Sequence, residues 1–298
     1  MLPFHYRKWT HGLFAVVVIA LFNSCNSYLF YQAPRYDQET LQVIESDPRV
    51  LQITYDMPFG RQTSFYIKPQ VEPDLPPERL WVLFGGINAA AFGWYEWFRD
   101  IPDPRCGLLL IEYPGYGLCE GVPRQERILI SSLIALRTLA AHFKIPVGQL
   151  QENMGLLGHS LGSLTMMQFA TRVSANRILL ISPITSLATL IKKMYGNFNG
   201  AILNIINPES FDNRARLKEL LVRPDAPQIT IIHGAEDELI PVSMGRELAA
   251  LSPEHITYYE IPEQGHPGLI AEQLPLIYEI MFSPSAKPSQ KTEAYSDF

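Results

Sequence analysis

Residues 154–162, MGLLGHSLG, constrain this chain more than any other stretch. A short apolar run (155–157) enters a turn carrying Gly158-His159-Ser160-Leu161-Gly162, and an apolar, helix-forming segment (164–173) leaves it. G-x-S-x-G between a strand and a helix is the pattern of a nucleophile elbow. The spacing has a physical reason. Ser160 has to sit on a tight turn with strained backbone angles, and glycines two residues before and two after let the chain close without Cβ clashes. Its hydroxyl then stands at the carboxyl edge of a sheet, at the start of a helix whose amides stabilise negative charge. The competing reading is a chance G-x-S-x-G in a glycine-bearing turn; the flanking strand and helix weigh against it.

Around this stretch the chain alternates buried strands with helical segments. Residues 80–84, 107–111, 178–181, 228–232 and 256–261 are short apolar or β-rich runs, and strands apolar throughout belong to parallel sheets covered on both faces. Residues 124–143 carry apolar side chains at helical period (Ile128, Leu129, Leu133, Leu136, Leu139), and 272–281 read as a closing helix. This order predicts an α/β fold: a mostly parallel central sheet with right-handed crossovers and helices on both faces. Residues 50–55 and 63–67 flank a Pro- and Gly-bearing turn and read as an antiparallel hairpin at the sheet edge. Residues 28–48 read as a connecting segment. Residues 185–218 interrupt the rhythm, either as a short cap over the site or as an ordinary crossover helix with a loop. The aromatic residues of 91–98 read as core more readily than as the wall of an acyl pocket.

Three further features bear on Ser160. The strand 80–84 ends in Gly85-Gly86-Ile87-Asn88, where a glycine pair lets amides point into a site. Ile87 N–H beside Leu161 N–H is the expected oxyanion hole, with Gly86 the alternative. The strand 228–232 ends in His233-Gly234-Ala235-Glu236-Asp237-Glu238. Asp237 follows the strand by a short glycine turn and suits the acid that orients a base; spacing alone does not separate it from Glu236 and Glu238. His233 reads as stabilising that turn. After the last strand, His266 lies in the loop Pro262-Glu263-Gln264-Gly265-His266, where it would serve as general base. The order Ser…Asp…His differs from the chymotrypsin and subtilisin orders. Cys119 reads as a small packed residue rather than a nucleophile, since no paired base is evident.

A chain of 298 residues, 47% hydrophobic, can fill one large α/β core. Its net charge of −6 gives no reason to expect nucleic acid. The cysteines, Cys25, Cys106 and Cys119, form no disulfide framework and no familiar metal-binding spacing. Arg7 and Lys8 precede an uncharged apolar run at 12–22, which is shorter than the ~20 residues of a full membrane span. Phe22-Asn23-Ser24-Cys25 follows, resembling a bacterial lipoprotein signal with Cys25 as the lipidated residue. Phe22 and Asn23 depart from the usual pattern. An uncleaved anchor helix reaching residue 31 and ordinary cleaved secretion are the other readings. The expected organisation is a signal or anchor at 1–25, a single domain at 28–282 and a polar, disordered tail from 283 to 298.

The combined motifs resemble the α/β-hydrolase superfamily over about residues 28–281. The similarity is greatest to the serine-hydrolase subgroup of depalmitoylase-like and serine-aminopeptidase-like hydrolases. It is carried by Phe84-Gly85-Gly86-Ile87-Asn88-Ala89, Glu112-Tyr113-Pro114-Gly115-Tyr116-Gly117, Gly158-His159-Ser160-Leu161-Gly162, Ser182-Pro183-Ile184-Thr185-Ser186, Phe211-Asp212-Asn213, the run from His233 through Asp237 to Pro241, and Gly265-His266. The chain departs from the family at the oxyanion turn, where His-Gly is common, and at Cys119, where Ser is common. The resemblance implies an α/β-hydrolase fold with a small or no cap, and Asp237 as the acid of a Ser160–Asp237–His266 triad. It implies hydrolysis of an ester or thioester, or alternatively an amide, at a small-molecule or lipid-like acyl substrate near a membrane in the cell envelope. Such chemistry needs no metal or organic cofactor. A non-catalytic, membrane-tethered binding module is the rival from outside the enzymes.

Overall fold

The computed structural model describes residues 34–86, 88–190, 192–193 and 212–283. The expected anchor, Cys25, Ile87, most of the 185–218 interruption and the tail beyond 283 lie outside them.

Eight strands form one sheet: β1 (Val50–Met57), β2 (Gly60–Ile67), β3 (Arg79–Phe84), β4 (Cys106–Ile111), β5 (Met154–His159), β6 (Arg177–Ile181), β7 (Gln228–Gly234) and β8 (Ile256–Ile261). Their spatial order is β1-β2-β4-β3-β5-β6-β7-β8. β1 and β2 form the expected antiparallel edge hairpin, β2 meets β4 antiparallel, and every later pairing is parallel. This is the α/β-hydrolase fold. After β3 the chain goes to one side for β4, then returns past β3 to β5. The β3/β5 boundary is therefore the point where strand order reverses, and in open α/β sheets a crevice opens there at the carboxyl ends.

Alternation along the strands builds two cores. Leu156 of β5 faces one and Leu157 the other. The first core packs under α3 (Gln125–His142), α5 (Gly162–Ala170), α6 (Asn213–Leu221) and α7 (Ser243–Ala249), through residues such as Ile128, Met166, Leu217 and Met244. The second packs under α1 (Gln38–Ser46), α2 (Gly93–Phe98), α8 (Leu269–Glu272) and α9 (Leu274–Phe282), through Ile44, Phe98, Leu269 and Ile277. A short α4 (Val147–Gln151) precedes β5.

Two expectations need correcting. Residues 28–48 are not simply connecting chain: α1 occupies the latter part, started by the Asp37 carboxylate, which accepts from the Thr40 amide at 2.8 Å. The closing helix begins earlier than 272, as α8, and turns into α9 at Gln273 with Pro275 in its first turn. The aromatic segment divides: Trp94, Phe92 and Phe98 are core, whereas Trp97 is 39% exposed.

Candidate active site

β5 delivers the chain to Ser160, whose φ of 54° is left-handed and costly for a residue with a Cβ. The turn is held from both sides. The Ser160 amide donates to Ile181 O of β6 at 2.9 Å, and the Ser163 amide donates to Ser160 O at 3.0 Å. Side chains are excluded where the spacing predicts. A Cβ at Gly158 would meet Ser163 Cα at 2.9 Å, and one at Gly162 would collide with the carbonyls of Phe84 and Gly85. Gly162 thus lets the start of α5 press against the turn after β3. From the other side, a Cβ at Gly86 would lie 3.5 Å from Ser160 Cβ. The expected oxyanion turn and the elbow therefore meet across the β3/β5 crevice. Leu161 stands at the N-cap position of α5 and is 5% exposed. Among the described residues no backbone carbonyl accepts from its amide.

The acid and the histidine come from the ends of β7 and β8, which pair in parallel. Their loops are laced by backbone: Ala235 N–H donates to Ile261 O, and Glu236 N–H to Gln264 O, both at 2.9 Å. A Cβ at Gly234 would strike the Gln264 carbonyl, so this lacing requires glycine at 234. His266 Nδ1 lies 2.7 Å from Asp237 Oδ2. Burial alone would push the Asp237 carboxyl up. Hydrogen bonds from His233, His266 and the Ile240 amide outweigh it and hold the carboxyl well below the usual range. Asp237 is therefore ionised, so His266 Nδ1 is the donor and Nε2 is left free to accept a proton. Glu236 and Glu238 are exposed while the Asp237 side chain is fully buried, which separates the three acids. The other Asp237 oxygen accepts from the Leu239 and Ile240 amides at 3.0 and 2.7 Å. His233 Nε2 donates to Ile240 O at 2.9 Å and stands 3.5 Å from Asp237 Oδ2, the turn-stabilising part expected of it.

His159 lies between these parts. Its ring stacks on His266 with centroids 5.0 Å apart and takes Trp94 edge-on. Burial and the neighbouring His266 push its pKa down to about 3, so it stays neutral beside His266. Cys119 is fully buried, with its sulfur 3.3 Å from both N and O of Thr63; burial pushes the thiol well up, as a packed, inert cysteine requires. Asn213 ties the loop after β6 to the elbow helix, donating to Ile184 O at 2.8 Å and to Ser163 Oγ at 3.3 Å. Among the described residues, no group of three or more His, Cys, Asp or Glu side chains is arranged to hold a metal ion.

Sequence reasoning counted Glu112 and Tyr113 among the residues of the resemblance but gave them no part behind the turn after β3. Tyr113 OH donates to Gly85 O at 2.8 Å, and Glu112, 1% exposed, takes the Ala91 amide at 3.0 Å. The available signal was an acid placed where an apolar strand ends in a glycine-rich loop.

A sheet of this topology, with an elbow after β5 and an Asp–His pair at the ends of β7 and β8, defines a chain of the α/β-hydrolase fold. Comparison with known proteins agrees. The chain is 25% identical over 193 residues to alpha/beta hydrolase domain-containing protein 17C of Xenopus tropicalis, a match covering 64% of this chain and 57% of that protein. The solved structure of an alpha-beta hydrolase from Vibrio vulnificus superposes with a TM-score of 0.61 at 17% identity, covering 81% of this chain and 86% of that one. The Pyrococcus furiosus esterase Pf2001 superposes with a TM-score of 0.59 at 12% identity, covering 85% and 97%. No family model matches the sequence. No helix among the described residues is long and apolar enough to cross a membrane.

Proposed function

We propose that the protein is a serine hydrolase that cleaves a carboxylic ester or thioester through an acyl-enzyme at Ser160. One observation carries the reading: His266 commits one ring nitrogen to the buried, ionised Asp237 and stacks on the residue that precedes Ser160. In this mechanism Ser160 Oγ adds to the acyl carbon while His266 Nε2 takes the hydroxyl proton. Asp237 holds the tautomer and stabilises the imidazolium. The carbonyl electron pair moves to oxygen, where the Leu161 and Ile87 amides receive the charge; one such donor is worth roughly 100- to 1,000-fold in rate. Collapse expels the alkoxide or thiolate, which takes the proton from His266. Water then repeats the sequence on the acyl-enzyme, releasing the acid and regenerating Ser160.

A fluorophosphonate is expected to label the wild-type protein and not Ser160→Ala. Labelling of both, or of neither, overturns the reading. Turnover of p-nitrophenyl esters well above that of aminoacyl-nitroanilides is the expected ranking; the reverse makes the protein a peptidase.

The apolar run at 12–22 and Cys25 support a membrane tether for this enzyme by a lipid-modified cysteine. Cys25→Ser is expected to move the protein from the membrane to the soluble fraction. Equal incorporation of labelled palmitate by wild type and variant removes the lipid anchor.

A further inference from the structure

The turn after β3 and the chain that runs from it into α2 are pinned from behind at three places. Tyr113 OH donates to Gly85 O at 2.8 Å. Glu112 Oε1 accepts from the Ala91 amide at 3.0 Å, and Tyr36 Oη accepts from the Phe92 amide at 3.0 Å. Tyr36 in turn donates its proton to Glu112 Oε2. Glu112 and Tyr36 thus form one unit that holds the consecutive amides of Ala91 and Phe92, where the chain leaving the turn that faces Ser160 enters α2.

Tyr36 comes from far away in sequence and is itself fastened. It belongs to a strap, residues 34–36, laid across the loop after β4. The Gly117 amide donates to Pro34 O at 2.8 Å, and Arg35 Nη1 donates to the carbonyls of Gly117 and Cys119 at 2.9 and 3.1 Å. The Tyr36 ring packs edge-on against Phe65 and Phe92, with centroids 5.9 and 6.3 Å away. Gly117, at φ 47°, permits the approach: a Cβ there would strike both the Tyr36 ring and Glu112 Oε2. Burial, then the facing Glu112, push the Tyr36 hydroxyl far above its usual range, so it stays protonated and keeps donating.

Resting on the serine-hydrolase reading, we propose that Tyr36 and Glu112 are positioning residues for the oxyanion turn. Through them, the strap at residues 34–36 helps to set the catalytic geometry. A preorganised donor works only while its backbone is held still, and a displacement of about 1 Å costs on the order of 100-fold. The strap therefore acts on the rate of the chemical step and leaves substrate binding nearly alone, because the charge it serves exists only in the transition state.

The test uses the full chain with a p-nitrophenyl ester. Tyr36→Phe keeps the ring and deletes one oxygen; Glu112→Gln keeps an acceptor for Ala91 and weakens the link to Tyr36. Each is expected to lower kcat about tenfold or more, with KM changed less than about threefold. The double variant is expected to lose little more than the worse single one, because both act through one hydrogen-bonded unit. Leu139→Ala is the control: it removes a fully buried side chain of α3 from the core on the other sheet face. It is expected to lower Tm and keep kcat. Wild-type kcat in Tyr36→Phe and Glu112→Gln, additive losses in the double variant, or an equal kcat loss in Leu139→Ala overturns the proposal. If Tyr36→Phe fails to fold, Glu112→Gln alone decides by the same split of kcat from KM. A wild-type protein that neither turns over esters nor takes the fluorophosphonate overturns the hydrolase reading instead.

Discussion

The two walls of the crevice are built differently. The wall carrying the acid and the histidine is made by backbone. β7 and β8 are neighbours in sequence and in space, amides of the loop after β7 donate to the carbonyls of Ile261 and Gln264, and Asp237 and His266 are 29 residues apart. The wall behind the glycine turn after β3 is made by side chains from distant stretches: Tyr36 reaches Glu112 across 76 residues and the Phe92 amide across 56. Backbone lacing tolerates changes in most side chains, since every residue but proline brings the same donor and acceptor. A buried hydroxyl–carboxylate unit tolerates few changes, because removing either partner strands the other in a dry site. Rate should therefore be concentrated in very few side chains on the first wall and spread through a supporting unit on the second.

The largest expected effect sharpens that contrast on the first wall. Asp237→Asn preserves size and can still accept from the Leu239 and Ile240 amides, so the fold and the lacing survive. The amide can hydrogen-bond His266 in the wrong tautomer and does not stabilise its charge, so kcat is expected to fall about 10,000-fold with little change in Tm. A parallel collapse of Tm would mean that this wall, too, depends on a buried polar unit for its shape. A kcat within tenfold of wild type would remove Asp237 from the chemistry.

The same contrast governs what can be read without coordinates. The elbow, the glycine turn after β3 and the strand-terminal Asp237 announce themselves by local rules: apolar runs, glycine where a Cβ cannot fit, an acid just past a strand. The sheet follows from them because β-α alternation leaves few topologies. The hairpin at the edge was legible from its Pro-Gly turn. What the sequence does not expose is long-range partnership. Tyr36 sits in a stretch with little regular pattern, and nothing nearby says that its hydroxyl will meet Glu112. Trp97 shows the same limit from the other direction: it lies on the same short helix as buried Trp94 and yet faces solvent. The helix α1 was missed although Asp37, three residues before Thr40, is an ordinary cap signal. A nine-residue helix with one buried apolar side chain offers too few turns of pattern to stand out.

The smallest expected effect concerns stability and sets one group behind the turn after β3 against one beside His266. Burial pushes the Glu112 carboxyl from 4.5 up to about 7, against the opposing pull of its hydrogen bonds from Tyr36 and the backbone. The folded protein therefore holds this proton more tightly than the unfolded chain. The resulting stabilisation is full below about pH 4.5 and fades as pH rises through 7, a loss on the order of 2 kcal/mol between pH 5 and pH 7. His159 has the opposite sign. Its pKa is pushed from 6.5 down to about 3 by burial and by His266, so the unfolded chain binds the extra proton, and stability rises as pH climbs from 3 to 6.5. The two slopes oppose each other between pH 5 and pH 6.5, and removing one group exposes the other. In urea titrations, Glu112→Gln is expected to gain more stability than wild type on going from pH 5 to pH 7, and His159→Gln to lose more. All other titrating groups are common to the three proteins and drop out of the differences. Equal slopes in all three would mean that neither group carries a shifted proton and that the dryness inferred for Glu112 does not hold.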